Sequence, residues 1–88
     1  MYGDIIKSST KEFPIQATNL QLIVVYRKPL DYPEKIVARL WDLTSPTPFV
    51  VLKDSLEDLQ RDIRRYRYWM IPMGPRPEDD PCIVETYI

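Results

Sequence analysis

The apolar residues of this 88-residue chain fall into several short runs rich in Val, Ile and Tyr, and into a single run with the spacing of an amphipathic helix. β-Branched and aromatic side chains pack well on a pleated surface, so each short run predicts a strand. Prolines and other turn-forming residues separate the runs. The predicted strands are residues 20–27, 35–43, 48–53, 68–73 and 82–88.

The helical run has a well-marked start. Either Asp54 or Ser55 can accept a hydrogen bond from a backbone amide of the first turn. Acidic residues precede arginines along the run, an order that matches the sign of the helix dipole. The apolar side chains recur at spacings of three and four, which places them along one stripe: Leu56, Leu59, Ile63 and Tyr66. The sequence therefore predicts one amphipathic helix at residues 55–66.

The order of these elements is three strands, a helix and two strands, which predicts one α+β domain spanning residues 1–88. The first three strands follow one another across short turns, so we expect them to pair antiparallel. We expect the domain to be a mainly antiparallel sheet of four to six strands, with the helix packed on one face. Residues 13–17 are a candidate partner for the first strand. Residues 1–12 show no clear period and are expected to be a flexible or a covering segment.

Alternate residues of a strand point to opposite faces of a sheet. In residues 20–27 and 35–43 both alternating sets contain apolar side chains, so neither face has the composition of a surface that meets only water. A helix of about 12 residues is about 18 Å long and covers one face of four or five strands. The other face therefore needs a cover: the N-terminal segment with the stems of Arg27 and Arg39, a second copy of the chain, or a partner.

This shortage of cover motivates the main functional hypothesis. We predict a non-enzymatic interaction or regulatory module that binds a protein partner, or itself as a homodimer, through one face of the sheet. The predicted contact residues lie on the two central strands: Ile23, Val25, Val37, Arg39 and Trp41.

Twelve Lys and Arg oppose 13 Asp and Glu, so the net charge of −1 gives no field that would direct the chain to nucleic acid or to an anionic membrane. Around the end of the helix, however, cations and rings combine as they do in sites for single-stranded nucleic acid. These residues are Arg61, Arg64, Arg65, Arg67 and Tyr68. Acidic residues of the same helix can pair with the arginines, so a solvated face is the favoured interpretation and nucleic-acid binding is the alternative.

Catalysis is not expected. The chain has no histidine, and Gly3 and Gly74 alone cannot form a glycine-rich phosphate loop. Cys82 opens an apolar strand without a base to activate it, so we expect it to be structural. As the single cysteine it also excludes an internal disulfide. Together with N-terminal residues that lack a signal-peptide pattern and the absence of a long apolar run, this predicts a cytoplasmic protein without a membrane segment.

The acidic residues at 78–80 could supply oxygen ligands to a metal ion. The run lacks the alternating ligands and the glycine of a calcium loop, however. A nuclease-type site that adds Glu85 lacks its usual lysine, because Tyr87 stands in that position. We therefore predict no bound metal or cofactor and interpret the run as a solubilising turn.

Four stretches carry a family resemblance: DYP at 31–33, KIVARLWDL at 35–43, VVLKDSLEDL at 50–59 and RPEDDPCIVETYI at 76–88. In these the chain resembles small bacterial proteins of unassigned activity, found in Gram-positive genomes and mobile elements. The resemblance implies an ancillary cytoplasmic protein. DSLEDL at 54–59 is also similar to the strand-to-helix passage of HicB-like antitoxins, whose fold places a meander before one helix. That similarity implies a toxin-antitoxin or nucleic-acid-binding regulator.

Overall fold

The computed structural model describes residues 3–14, 20–42, 45–75 and 80–88. Within these residues the chain forms six strands, one α-helix and one short 3-10 helix. The strands are β1 (Ile5–Lys7), β2 (Gln21–Arg27), β3 (Ile36–Asp42), β4 (Ser45–Lys53), β5 (Pro72–Met73) and β6 (Ile83–Tyr87). The 3-10 helix is Thr10–Glu12, and α1 is Leu56–Tyr66.

The described strands form one mixed sheet in the order β1-β4-β3-β2-β6-β5. As predicted, β2, β3 and β4 pair antiparallel, and β6 adds to β2 on the other side. At one edge β1 runs parallel to β4, with Ile5 opposite Phe49. The predicted α+β class with a mainly antiparallel sheet is confirmed.

The helix follows its sequence signals closely. The Ser55 hydroxyl accepts a hydrogen bond from the amide of Asp58 at 3.1 Å, so Ser55 is the N-cap and α1 begins at the next residue. The helix ends at Tyr66, and the amide of Arg67 donates to the carbonyl of Ile63 at 2.7 Å. The described part of the chain contains no helix with both the length and the apolar character that crossing a membrane requires.

The main core lies between α1 and one face of the sheet. Leu59 and Ile63 of the helix stripe are fully buried there, and Phe13 joins them from the N-terminal segment. This core comprises Phe13, Ile23, Val25, Ile36, Ala38, Leu40, Val51, Leu59, Ile63 and Tyr87. The helix and the N-terminal segment therefore cover the same face, which we call the helix face, and the opposite face of the sheet is the open face.

The segment after the helix differs from its prediction. Residues 68–73 were predicted as one strand, but β5 contains only Pro72–Met73. The amide of Met70 donates to the carbonyl of Arg67 at 2.9 Å, closing a turn that reverses the chain at the end of α1. Ile71 and Ile88 then exchange two backbone hydrogen bonds, of 2.8 and 3.0 Å. The turn that ends α1 is thus formed by residues that β propensity alone assigned to a strand.

Two further strand boundaries were also not anticipated. The N-terminal strand β1 has only three residues, too few to show a period. The strand predicted at 48–53 begins earlier, at Ser45, and includes Pro46 as well as Pro48. Because β1 pairs only from Phe49 onward, these prolines lie where β4 is an edge strand and a missing amide costs no hydrogen bond. In the candidate strand 13–17, residues 15–17 lie outside the described residues, as does residue 43.

Candidate functional site

The register between β2 and β3 separates the five predicted contact residues. Ile23 lies opposite Leu40 and Val25 lies opposite Ala38, and all four belong to the core under the helix. The prediction that Ile23 and Val25 form a contact surface was therefore wrong. Each strand has apolar residues in both alternating sets, so the sequence could not show which set of β2 shares a face with which set of β3.

The other three predicted residues, Val37, Arg39 and Trp41, lie together on the open face. Arg39 stands between two cross-strand neighbours, Val24 of β2 and Val50 of β4, and both valines are buried. The arginine stem thus covers the middle of this face, one of the covers considered from the sequence. Towards the ends of the strands, Tyr26 and Trp41 are only partly buried.

A groove with a volume of about 1020 Å³ occupies this part of the open face. Val37 is buried at its base, and the turn after β2 contributes Leu30, whose side chain is fully exposed. The apolar part of the lining includes Tyr26, Pro29, Leu30, Val37, Trp41 and Pro48. An exposed groove of this composition is typical of a binding surface.

Beside these apolar side chains the groove contains a partly buried ion pair. Arg39 donates to both carboxylate oxygens of Asp4, with N···O distances of 2.9 and 3.1 Å, and each side chain is only 16% exposed. The same guanidinium donates to the Thr47 carbonyl at 2.9 Å, and the Tyr32 hydroxyl donates to Asp4 at 2.7 Å. This two-point pairing fixes the orientation of Arg39.

Parallel pairing of β1 with β4 explains how Asp4 reaches this position. The pairing sets Ile5 beside Phe49, and Asp4 precedes Ile5 at the groove. Of the predicted covering segment 1–12, Gly3 and Asp4 line the open face, whereas Thr10 is buried on the helix side. Residues 1–2 lie outside the described residues. The N-terminal segment therefore closes part of the groove but does not cover the face.

The two aromatic rings of the groove are joined by a hydrogen bond. The Trp41 indole N–H donates to the Tyr26 hydroxyl at 3.2 Å. Burial is the main cause that raises the pKa of Tyr26, and the carboxylates of Asp80 and Asp31 raise it further. The phenol therefore keeps its proton at neutral pH, and its O–H can donate to a bound group.

The Asp4–Arg39 pair should make stability depend on pH. The hydrogen bond from Arg39 lowers the pKa of Asp4 below its ordinary value. A carboxyl whose pKa is lower in the folded state stabilises the fold above its unfolded pKa of about 4, and this stabilisation is lost as the pH falls through the lower folded value.

We expect Asp4→Asn to lower the free energy of unfolding by about 2 kcal/mol at pH 7. This loss is smaller than that expected for a fully buried pair, because Asp31 also lies near Arg39. The difference from the wild type should shrink below about pH 4. Urea unfolding at pH 7 and pH 3 measures it, and Asp58→Asn on the exposed helix surface is the control. A difference as large at pH 3 as at pH 7 would show that the ion pair is not its cause.

The residues proposed for nucleic-acid binding do not form one surface: Arg64 and Tyr68 line a common pocket, but Arg67 is buried. Arg67 is 5% exposed and donates to the backbone carbonyls of Thr10 and Phe13 on the helix side, at 2.7 to 3.1 Å. The prediction that Arg67 belongs to an exposed cationic surface was therefore wrong. The contact joins residues more than 50 positions apart, and no local pattern in the sequence indicates it.

The other members of that group remain at the surface. Arg61 pairs with Glu57 and Asp58 at 3.2 and 3.3 Å, as the helical spacing predicted. Arg64 and Arg65 are exposed, and Tyr68 is 78% exposed.

The acidic residues considered for metal binding are also separated. Asp80 lines the groove and accepts a hydrogen bond from the Cys82 amide at 2.8 Å, whereas Glu85 accepts one from Gln60 of α1 on the helix side. Residues 78 and 79 lie outside the described residues. Among the residues that the structure describes, no three Cys, Asp or Glu side chains are grouped to hold a metal ion. Desolvation and Asp80 raise the pKa of the Cys82 thiol, which favours the protonated form.

Comparisons with known protein families, with curated proteins and with solved structures find no match for this chain. The two family resemblances of the sequence therefore stay predictions.

Proposed function

We propose that this chain is a non-enzymatic interaction module that binds a segment of a protein partner in the groove of the open face. The observation that carries the proposal is the groove itself: an apolar, aromatic-walled concavity on the side of the sheet that α1 does not cover. Trp41 and Tyr26 supply wide, stiff contact surfaces, and aromatic side chains of this kind dominate the binding energy of protein interfaces. Leu30 adds an apolar side chain at the rim.

A second copy of the chain is a less suitable occupant. In a two-fold dimer the same surface contacts itself, so acidic side chains of one groove would meet those of the other. The described lining residues include three carboxylates, those of Asp4, Asp31 and Asp80, against the single guanidinium of Arg39. Two such surfaces repel each other, which favours a different protein as the occupant.

Nucleic-acid binding at the end of the helix has less support. Arg67 is buried and Arg61 pairs within the helix. Of the remaining arginines, Arg64 lines a pocket with Tyr68, whereas Arg65 lies over the ring of Tyr66. Sites for single strands usually combine several stacking rings with a continuous cationic groove.

Selection of random 12-residue peptides displayed on phage against the immobilised protein tests the proposal. We expect peptides whose affinity falls at least tenfold when Trp41 is replaced by Ala, because the indole forms a wall of the groove. Trp69→Ala is the matched control, since Trp69 is an exposed tryptophan that does not line the groove. Failure to enrich any peptide, or equal binding to the wild type and Trp41→Ala, would refute the proposal. Sedimentation of the free protein checks for self-association, which would point to a second copy instead.

A further inference from the structure

The charge of the groove is unevenly distributed. Arg39 is held in a two-point pair by Asp4, so these two charges largely cancel. Two carboxylates then remain at the groove without an equivalent partner among its described lining residues. Asp31 is 49% exposed, and its nearest oxygen is 3.7 Å from Arg39, too far for a hydrogen bond. Asp80 is exposed, and its carboxylate accepts a hydrogen bond from the backbone amide of Cys82 at 2.8 Å.

Asp31 and Asp80 come from different parts of the chain but line the same groove. Asp31 lies in the turn between β2 and β3, and Asp80 lies in the turn before β6. Both residues line the groove together with Tyr26 and Trp41. The Tyr26 ring is in turn fixed by the indole N–H of Trp41. The groove therefore contains two acids and a pair of aromatic rings joined by a hydrogen bond.

This combination is chemically selective. A cation gains from carboxylates and from the electron-rich faces of Trp and Tyr together. An acidic segment would be repelled, and a neutral apolar segment would leave Asp31 and Asp80 partly desolvated without a counter-charge. Arginine suits the arrangement best, because its planar guanidinium can stack on a ring while its N–H groups reach carboxylates.

We infer that the partner segment is cationic, and that an arginine or lysine of the partner lies between Asp31 and Asp80 against the rings of Tyr26 and Trp41. This inference rests on the proposed function. It narrows the partner to a segment that combines apolar residues with at least one positive charge. It also gives the two carboxylates a role in binding, since neither forms the two-point pair with Arg39.

The test uses the peptides from the phage selection that depend on Trp41, synthesised with each arginine replaced by citrulline or each lysine replaced by acetyl-lysine. Both replacements remove the charge. Citrulline keeps the shape of arginine, whereas acetyl-lysine keeps the aliphatic chain of lysine and adds a neutral acetyl group. We expect one replacement to weaken binding to the wild type about tenfold. In the double variant Asp31→Asn with Asp80→Asn, the charged and neutral peptides should differ by less than about twofold, because the counter-charges are gone. Asp58→Asn is the control and should retain the tenfold difference.

The outcomes separate the two levels of the proposal. Peptides that depend on Trp41 but contain no Arg or Lys, or whose neutral forms bind equally well, would overturn the cationic partner and leave the groove as a docking site. A tenfold charge effect that persists in the double Asn variant would likewise overturn the assignment to Asp31 and Asp80. A selection that yields no Trp41-dependent peptide would remove the proposed function itself. Thermal unfolding of each variant verifies that these side chains act on binding and not on folding.

Discussion

Replacing Arg67 with methionine is expected to lower the free energy of unfolding by about 3 kcal/mol, because the guanidinium links the end of α1 to the N-terminal segment. It donates twice to the Thr10 carbonyl, at 3.1 and 2.9 Å, and once to the Phe13 carbonyl, at 2.7 Å. Methionine fills similar space but donates nothing, so these backbone carbonyls lose their charged donor. The Thr10 carbonyl keeps one donor, the amide of Phe13 at 3.1 Å. A buried polar group that loses its partner costs about 1 to 3 kcal/mol.

Urea and thermal unfolding measure this effect. For a domain of this size a loss of about 3 kcal/mol corresponds to a fall in the melting temperature of roughly 15 °C. Arg65→Met is the matched control, because Arg65 is an exposed arginine of the same helix, and it should change stability little. Hydrogen exchange adds a local measurement: the Thr10 amide, which donates to Asp62 at 2.9 Å, should exchange faster in the Arg67 variant. Equal stability of the two variants would contradict the role of Arg67 as a clamp.

Replacing Leu59 with alanine is expected to destabilise the fold by a similar amount, about 3 kcal/mol. Leu59 is 0% exposed and lies between α1 and the sheet, in the core that includes Val25 and Ala38. The substitution removes buried methyl groups and leaves a cavity, and helix and sheet can close over it only in part.

The chain contains a close control for this substitution. Leu30→Ala makes the same chemical change at a fully exposed side chain, so its effect on urea unfolding should be near zero. Because Leu30 lines the groove, the same variant should weaken the binding of peptides that depend on Trp41. A loss of stability in Leu30→Ala comparable with that in Leu59→Ala would contradict the assignment of the two leucines to rim and core.

Local patterns predicted the elements of this fold well. The helix was recognisable because Ser55 caps it and because Leu59 and Ile63 recur on one stripe. The strands β2, β3 and β6 lie within one residue of their predicted ends, since their runs of β-branched residues are bounded by turns. Residues 68–73 were mostly misassigned, because their strand-forming side chains are used in the turn that ends α1.

The functional surface was only partly predictable, because it depends on contacts between distant segments. Val37, Arg39 and Trp41 were correctly expected to share a face, since they alternate along one strand. Their partner set on β2 was not fixed by the sequence, and Ile23 was therefore placed on the wrong side. Asp4 gave no signal of its own, because only the parallel pairing of β1 carries it to Arg39.

Binding in the groove is the central claim, and backbone amide NMR of the full chain tests it most directly. Adding a peptide that depends on Trp41 should shift the amide signals of Val37, Arg39 and Trp41 in a saturable manner. The signals of Leu59 and Ile63, on the helix face, should change little. Shifts centred instead on Tyr68 and the end of α1, or spread evenly over both faces, would contradict a docking site on the open face of the sheet.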